Sequence, residues 1–508
     1  MHWGVAWTRA ALALVAAGAV GLALVSGGSS ADPRTPTGLP GMPAPFLGTA
    51  VVGSGGLTAA VDAYGDVVDL RAAGPAGRSL IDNPADRQAA GTVPADTGVV
   101  PRVRLSGVDL PLWRAERVRQ HYRPGTNVLV TEARLGAGRV EVVYAAHGGG
   151  LACLTRTSGP RISVHSEEPA ADAKLRCDDE SARRLVRVAE RSDRAWLSGA
   201  RPLGRAAPVW ARGLYRRSLL TLRALTDQRT GAVVAGARDG WAYVWPRDAG
   251  TAALAFAAAG YRPEARRVAR FLLDLDLGAA ARFRGDGAPV AGREAQSDAA
   301  GWVAVAARAA GLPNPTPSLP WRDRPDYQER DRGNYLANAI AAGAEPPADG
   351  PKTSIYGTKS AHRRGGSGVA MAFGDERGLL RRGGDPESGL DSAAAWAVRP
   401  FALPALFPVV RRTLLRLANE QTRFGITPGE GWPGTDPWTA PTAWTAWSLA
   451  ALGERRQALR LLGDLRRAAT PTGTLPERVD AHTGIPVSTT PLAWSHAFAI
   501  LTLRELWP

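Results

Sequence analysis

The stretch that decides the fold is Asp239-Gly240-Trp241-Ala242-Tyr243-Val244-Trp245-Pro246-Arg247-Asp248, which runs directly into the alanine-rich segment 249–260. Tryptophan and tyrosine rings offer flat apolar faces to a pyranose, and arginine and aspartate can bond its vicinal hydroxyl groups. Pro246 is typical of a helix start, and Asp248 is expected at the cap of that helix. The decapeptide therefore predicts a sugar-binding segment where a helix begins, although an N-capped helix with ordinary core aromatics fits it equally well.

The length and charge of the chain limit the classes of function. A chain of 508 residues predicts two domains, one of them large. The formal net charge is +15, but the basic residues are nearly all arginines, and they are spread along the chain rather than clustered. Nucleic-acid-binding proteins usually concentrate basic residues on one face. We therefore expect no nucleic-acid partner and only a weak attraction to anionic surfaces.

The N-terminal segment predicts export. Residues 11–26 form an uncharged apolar run, shorter than the ~20 residues of a full membrane span. We interpret residues 1–31 as a signal peptide or signal anchor, in which residues 11–26 would tether the protein to the membrane if retained. Residues 32–46 contain five prolines and are interpreted as a Pro-rich linker. The protein is thus expected to be extracellular or in the cell envelope.

Cys153 and Cys177 are the only cysteines. In an exported chain one disulfide between them is the simple expectation, and two buried thiols are the alternative.

Residues 47–205 have the pattern of a β domain. Short apolar runs are separated by Gly, Pro, Asp and Asn, and the clearest predicted strands lie at 57–61, 99–103, 127–130 and 139–144. Many short strands at this spacing predict an antiparallel β-sandwich.

Residues 206–508 have a helical pattern. Glycine stands where a helix should stop at 260, 311, 343 and 453, and two of these positions lead at once into a second amphipathic segment. Tandem αα-hairpins must stack to bury their apolar faces, so they build an open solenoid or a closed toroid. Segments 392–423, 440–469 and 491–507 supply enough hairpins to close a ring, and 346–390 is predicted to be a long functional loop.

Polar and aromatic segments precede many of these helices, so in a closed ring they would gather at one mouth. Hydrolysis of a glycosidic bond needs two carboxyl groups, and a separation of ~6.5–9.5 Å leaves room for the water of an inverting reaction. Glu329 and Glu477 are the candidates. Three further glutamates are also available, Glu294, Glu387 and Glu430. The sequence has no zinc spacing, phosphate loop or serine-hydrolase motif, so no metal and no cofactor are expected.

Residues 206–508 resemble the glucoamylase family, glycoside hydrolase family 15. The motifs that carry the resemblance are 231–235 leading to 240–248, Gln296-Ser297-Asp298, 436–438, 475–479, Thr483-Gly484 and Ser495-His496. Residues 47–205 are similar to the β-sandwich that precedes the barrel in bacterial members. The resemblance implies an (α/α)6 barrel and inverting exo-hydrolysis of α-glucosides from their non-reducing ends.

The resemblance also implies site residues. Arg247 and Asp248 would bind the terminal glucose, Trp245 and Trp438 would wall the pocket, and Glu477 would be the general base. The family's general acid usually follows a tryptophan; the matching residue here is Glu329, which follows Gln328. Three further residues are substrate-binding candidates: Tyr243, Gln296 and Asp298.

We therefore hypothesise an exported, inverting exo-α-glucosidase that acts on an oligo- or polysaccharide. The alternatives are an envelope protein that binds glycan on the same fold without cleaving it, and a trehalase-type glucosidase.

Overall fold

The computed structural model describes residues 38–43, 47–81, 100–105, 107–159, 162–167, 175–314, 319–328, 331–343, 369–420 and 422–508. The predicted signal segment 1–31, residues 32–37 and 44–46 of the linker, the catalytic candidate Glu329 and residues 346–368 of the loop 346–390 lie outside these residues. Within the described ranges, no helix combines the length and the apolar character that a membrane crossing requires.

The N-terminal part is built from short strands. They are β1 (Gly48–Val52), β2 (Thr58–Asp62), β3 (Val67–Arg71), β4 (Val100–Leu105), β5 (Val108–Pro111), β6 (Arg117–Tyr122), β7 (Leu129–Leu135), β8 (Gly138–His147), β9 (Gly150–Ser158), β10 (Ile162–Glu167) and β11 (Leu175–Cys177). The four strands predicted from the sequence correspond to β2, β4, β7 and β8.

The strands form three small sheets, ordered β1-β2-β3, β10-β4-β5 and β11-β9-β8-β7-β6. The described pairs are antiparallel except β11 with β9, which is parallel. Apolar side chains from all three sheets share one buried cluster, which includes Val61, Val103 and Tyr144. The expectation of antiparallel sheets is therefore correct apart from this pair.

The parallel pair brings the two cysteines together. Cys153 and Cys177 are direct partners in the register of β9 and β11. Strands pair at ~4.8 Å, within the range of ~4.4–6.8 Å between the Cα atoms of a disulfide. The disulfide remains a prediction.

A helix that the sequence analysis did not identify, α1 (Glu180–Ser198), closes the β region. The Asp179 side chain accepts a hydrogen bond from the Ala182 N–H and so caps it. Its buried Ala182, Val186 and Ala189 pack on the five-stranded sheet, against residues such as Val143. The domain interpreted as β from residue 47 to 205 therefore contains a helix of 19 residues.

The rest of the chain is helical. The α-helices are α2 (Val209–Ala224), α3 (Pro246–Ala258), α4 (Arg262–Leu273), α5 (Asp298–Ala310), α6 (Leu336–Ala342), α7 (Phe407–Asn419), α8 (Thr439–Ala451), α9 (Arg455–Ala468) and α10 (Ala493–Leu506), with a 3-10 helix at Ser392–Ala397.

The inner segments of this region form a closed ring. Helix α3 contacts α5, α5 contacts α6, and α6 contacts the 3-10 helix Ser392–Ala397; that helix contacts α8, α8 contacts α10, and α10 returns to α3. Helices α2, α4, α7 and α9 pack outside the ring. Of the two arrangements that the repeats allow, the chain adopts the closed α/α toroid.

The ring is tightly packed. A Cβ atom on Gly301 of α5 would lie 2.5 Å from the carbonyl oxygen of Ala341 on α6, so only glycine permits this approach. Fully buried Trp302, Trp396 and Trp444 fill the middle of the ring. Their rings meet edge to face with centroids 5.1 Å (Trp302 to Trp396) and 5.4 Å (Trp396 to Trp444) apart, and each such pair contributes about 1 kcal/mol beyond its buried area.

Two local predictions were wrong. Helix α3 begins at Pro246 with Trp245 as its N-cap, so Asp248 lies in the first turn rather than at the cap. Segment 392–423 is not one hairpin of two α-helices, because its first half is the 3-10 helix Ser392–Ala397. Pro400 follows closely, and a proline disfavours the α conformation in the residue before it.

Candidate active site

A cavity of about 130 Å³ lies at the mouth of the toroid where the inner helices begin. Its lining residues come from the N-termini of α3, α8 and α10 and from the segments that precede the inner helices: Ala235, Gly240, Trp241, Trp245, Arg247, Asp248, Arg293, Tyr327, Gln328, Trp438, Glu477, Leu492 and Trp494. The ring topology thus gathers residues far apart in the sequence into one site.

Arg247 is the most firmly held side chain of the cavity. It is 5% exposed, and its Nη1 donates to Asp298 Oδ2 at 2.8 Å and to Gln296 Oε1 at 3.1 Å. Its guanidinium carbon lies 4.9 Å from the centre of a Trp494 ring. A buried guanidinium with a carboxylate partner and an aromatic face beside it keeps a fixed orientation.

Asp248 is a buried carboxyl group next to Arg247. Loss of water raises its pKa from 3.8 to about 7; the negative charges of Glu477 and Asp298 also raise it, and Arg247 opposes the change. Asp248 is only 4% exposed, so desolvation is the larger effect. The group therefore changes its charge near neutral pH.

Glu477 is fixed at the cavity through its backbone and its side chain. Its N–H donates to the Thr489 carbonyl at 2.9 Å, and its own carbonyl accepts from the Thr439 N–H at 3.0 Å. The Ser488 hydroxyl donates to Glu477 Oε2. Burial raises the pKa of Glu477, while the Ser488 hydrogen bond and the positive charge of Arg478 partly counter it.

A chain of hydrogen bonds runs from the cavity into the barrel. The Gln328 amide Nε2 donates to the Tyr327 hydroxyl at 2.7 Å, and that hydroxyl donates to Asp391 Oδ1 at 2.7 Å. Burial raises the pKa of Asp391 to about 7, with the charge of Asp326 as a second cause. The side chain of Gln328, which takes the place of a tryptophan in the resemblance, is thus held against Tyr327.

The predicted site residues fall into two groups. Trp245, Arg247, Asp248, Trp438 and Glu477 line the cavity. The others are not among its described lining residues. The guanidinium carbon of Arg282 lies 4.8 Å from the centre of the Tyr243 ring. Gln296 and Asp298 lie behind the cavity as the partners of Arg247, and Glu329 is outside the described residues.

The alternative carboxylates lie elsewhere. Glu294 is paired with Arg324 at 2.7 Å and Arg332 at 2.8 Å, Glu387 is exposed, and Glu430 accepts a hydrogen bond from the Leu390 N–H at 3.1 Å. Among the described residues that line the cavity, the acidic ones are Asp248 and Glu477.

The lining residues that sequence reasoning did not select as site residues include Trp241, Arg293 and Trp494. Trp494 stands at the start of α10, and Trp245 and Trp438 are the N-caps of α3 and α8. A tryptophan at the start of an inner helix was therefore a signal that could have identified Trp494.

Residues 210–277 match the family model described as glycosyl hydrolases family 15. The structure is similar to a bacterial glucoamylase complexed with acarbose, with 12% identity, a TM-score of 0.64, and coverage of 92% of this chain and 94% of that one. A glucoamylase from Saccharomycopsis fibuligera is 12% identical over 60% of this chain and 96% of its own, with a TM-score of 0.43. A wild-type glycosidase is 22% identical over 58% and 96%, with a TM-score of 0.46. A search of curated proteins gives no match.

The match over nearly the whole chain shows the fold, an α/α toroid preceded by small sheets. Together with the family model, it confirms the predicted resemblance to the glucoamylase family.

Proposed function

Because residues 210–277 carry the family 15 pattern and the chain has the glucoamylase fold, we propose that this protein is an exported, inverting exo-α-glucosidase that removes glucose from the non-reducing ends of α-glucosides. The family model and the fold support a glycoside hydrolase. The observation that carries the finer proposal is the cavity itself, which combines a fixed arginine, two carboxyl groups and four tryptophans at the toroid mouth.

Arg247 and Asp248 hold the terminal sugar. A guanidinium fixed by Asp298 and Gln296 can donate to neighbouring hydroxyl groups without first losing side-chain freedom. Asp248 accepts from a hydroxyl or donates to one, depending on its protonation. Trp245 and Trp438 offer their faces to the C–H side of the ring.

Glu477 is the general base. Its backbone hydrogen bonds and Ser488 fix the carboxylate, so that it can remove a proton from a water placed against the anomeric carbon. Because burial raises its pKa, the carboxylate is a stronger base than one in water.

Glu329 is the general acid in this proposal. It would protonate the glycosidic oxygen of the leaving group while Glu477 activates water from the opposite side of the ring. Its neighbour Gln328 is fixed to Tyr327, so the chain has a polar amide where a tryptophan would exclude water. We expect this exchange to make Glu329 a poorer general acid than one beside a tryptophan.

Two further parts of the proposal concern the rest of the chain. The sheets of residues 47–205 form a β-sandwich beside the (α/α)6 barrel, which their shared apolar cluster supports. The enzyme acts outside the cell or in the cell envelope, where residues 11–26 either direct export or tether it. A metal and a cofactor have no part in this mechanism.

The second candidate function is a barrel that binds glycan without cleaving it. Gln328, the residue before the expected acid Glu329, favours this candidate. Its side-chain amide already donates a hydrogen bond to the Tyr327 hydroxyl. A trehalase-type glucosidase is a third candidate that differs only in the linkage.

Proton NMR on the protein with maltose, maltotriose and trehalose tests these candidates. β-Glucose released before mutarotation supports an inverting α-glucosidase, and the disaccharide that is consumed identifies the linkage. Binding of maltotriose without release of glucose, from folded protein, supports the glycan-binding candidate instead.

The assignment of the two carboxyl groups needs its own variants. We expect Glu477→Gln and Glu329→Gln each to lower kcat by about 10²–10⁴-fold, the usual contribution of an acid or base group. Glu430→Gln is the matched control, because it removes a carboxylate of the same barrel whose partners Leu390 and Arg416 lie outside the cavity. Full activity in both the Glu477 and Glu329 variants would show that other groups do the chemistry.

A further inference from the structure

Three arginines stand side by side on the five-stranded sheet. The strand register pairs Arg117 of β6 with Arg134 of β7, and Arg134 with Arg139 of β8. All three are exposed. We call this row the arginine ladder. Because neighbouring strands lie ~4.8 Å apart, it spans about 10 Å across the sheet.

The ladder is poorly neutralised by the protein. Within the described part of the chain, Arg117 and Arg139 have no carboxylate partner, and Arg134 reaches Glu116 only at 3.6 Å. The exposed Arg104 of β4, in contrast, makes a bidentate pair with Asp109 at 2.8 and 2.9 Å. Like charges directly opposite on neighbouring strands destabilise a sheet, so an anion between them would be bound favourably.

The next row on the same face is balanced. It runs Arg119, Glu132, Glu141 and Arg156 across β6 to β9. The two glutamates in its middle would repel a wide polyanion that covered both rows. The positive charge is therefore confined to a narrow line, which fits a single thin anionic chain.

We propose that the arginine ladder binds a sugar polymer that carries an anionic group on successive residues. The planar guanidinium binds carboxylate, sulfate or phosphate oxygens through paired hydrogen bonds. The ~4.8 Å step between strands is close to the length of one pyranose residue, so that successive acidic groups meet successive arginines. The proposal does not depend on the hydrolytic activity, because the ladder lies in the β region and not at the cavity.

The composition of the surface favours a glycan over other polyanions. The residues around the ladder are Arg, Glu, Thr and Ser together with Ala133 and Val140, and none of them is aromatic, whereas proteins that bind single-stranded nucleic acids stack bases on aromatic rings. An amphipathic segment that binds a membrane surface also carries apolar side chains that enter the lipid, and the ladder has none.

The experiment is a binding titration of the full chain with polygalacturonate, dextran sulfate, neutral dextran and duplex DNA at several salt concentrations. The variant Arg117→Gln/Arg134→Gln/Arg139→Gln should bind the two anionic polysaccharides at least tenfold more weakly than the wild type. Its slope of log affinity against log salt should be smaller by about 2 to 3, one for each lost contact. Binding of only one of the two polymers would distinguish a carboxylate from a sulfate- or phosphate-type ligand.

The matched control is Arg184→Gln/Arg191→Gln/Arg262→Gln, which removes the same charge from exposed positions on α1 and α4. It should change the affinity by no more than about twofold, as non-specific attraction is spread over the whole surface. Equal losses in both triple variants, no loss in the ladder variant, or tighter binding of DNA than of either polysaccharide would overturn the proposal. The single variants Arg117→Gln and Arg139→Gln provide the same comparison if the triple ladder variant does not fold.

Discussion

Replacing Asp248 by asparagine should stabilise the protein at neutral pH, because this buried carboxyl group is costly to ionise. Its pKa rises from 3.8 to about 7 on folding, and about three pKa units correspond to about 4 kcal/mol. Between these two pH values the group is protonated in the folded chain and ionised in the unfolded one. The wild type therefore loses about 1.4 kcal/mol of unfolding free energy for each pH unit gained across this window.

The Asp248→Asn variant does not lose unfolding free energy in this way. The unfolding free energy of the variant minus that of the wild type should therefore grow from pH 4 to pH 7 and then become constant at about 4 kcal/mol. Urea unfolding of both proteins at pH 4, 5, 6, 7 and 8 measures it. Asp391, whose pKa is also raised to about 7, contributes equally to both proteins and cancels in the difference. Asp274→Asn, which removes a carboxyl group from an exposed position, is the matched control for the change of side chain.

A difference in unfolding free energy between Asp248→Asn and the wild type that is constant with pH would refute the reasoning, because it would mean that burial does not shift the pKa of this carboxyl group.

The same variant should lose activity. A hydrogen bond to a charged group contributes about 1.5–3 kcal/mol, so we expect kcat/KM to fall by about 10- to 150-fold. Such a gain in stability with a loss of activity is the usual stability–activity trade-off at a functional site.

Three other perturbations test the barrel. Arg247→Met should destabilise the protein by about 3–5 kcal/mol in urea unfolding, because it leaves the Asp298 charge buried without its partner; the additional change Asp298→Leu should recover part of this loss. Gly301→Ala should lower the unfolding free energy by about 1–3 kcal/mol, since its Cβ would press on the Ala341 carbonyl, and an unchanged thermal midpoint would contradict it. Burial lowers the pKa of His496 from 6.5 to about 3, so the unfolding free energy of the wild type should fall by up to about 5 kcal/mol as the pH falls from 6.5 to 3. His496→Gln should weaken this pH dependence, and identical acid-unfolding curves of variant and wild type would exclude a contribution from His496.

The barrel could be predicted because its signals are local. Gly260 and Gly453 end helices with positive φ angles of 91° and 86°, and each is followed by a second helix, α4 and α9. Closure of the ring could not be derived in the same way. It depends on contacts between α3 and α10, whose starting residues are far apart in the sequence.

The site could be predicted only in part. Arg247 and Asp248, which line the cavity, could be placed at the mouth of the ring because they stand in the first turn of an inner helix. The sequence does not reveal that the guanidinium of Arg282 lies over the Tyr243 ring, or that the Gln296 amide oxygen accepts a hydrogen bond from Arg247. The substrate-binding roles of these two residues stay predictions. Which polar side chains face a ligand and which support their neighbours is decided by tertiary packing.

The sequence did contain the signal for α1. Ala182, Val186 and Ala189 recur at helical spacing after the capping residue Asp179, but short strands dominate the surrounding region. The 3-10 helix Ser392–Ala397 is different, because its alanine-rich sequence is typical of an α-helix. Its form depends on Asp391, whose side chain accepts from the Ala393 N–H, and on the proline that follows at 400.

The order in which the ring is assembled also limits when the protein can act. Helix α10 joins the start of the barrel through the Ala493 N–H, which donates to the Ala235 carbonyl at 2.7 Å, and it brings Trp494 to the cavity. A ribosome that has made residues 206–470 has produced Arg247 and Asp248 but neither Glu477 nor the helix that closes the wall. The growing polypeptide therefore has no complete cavity until Glu477 and helix α10 have been made.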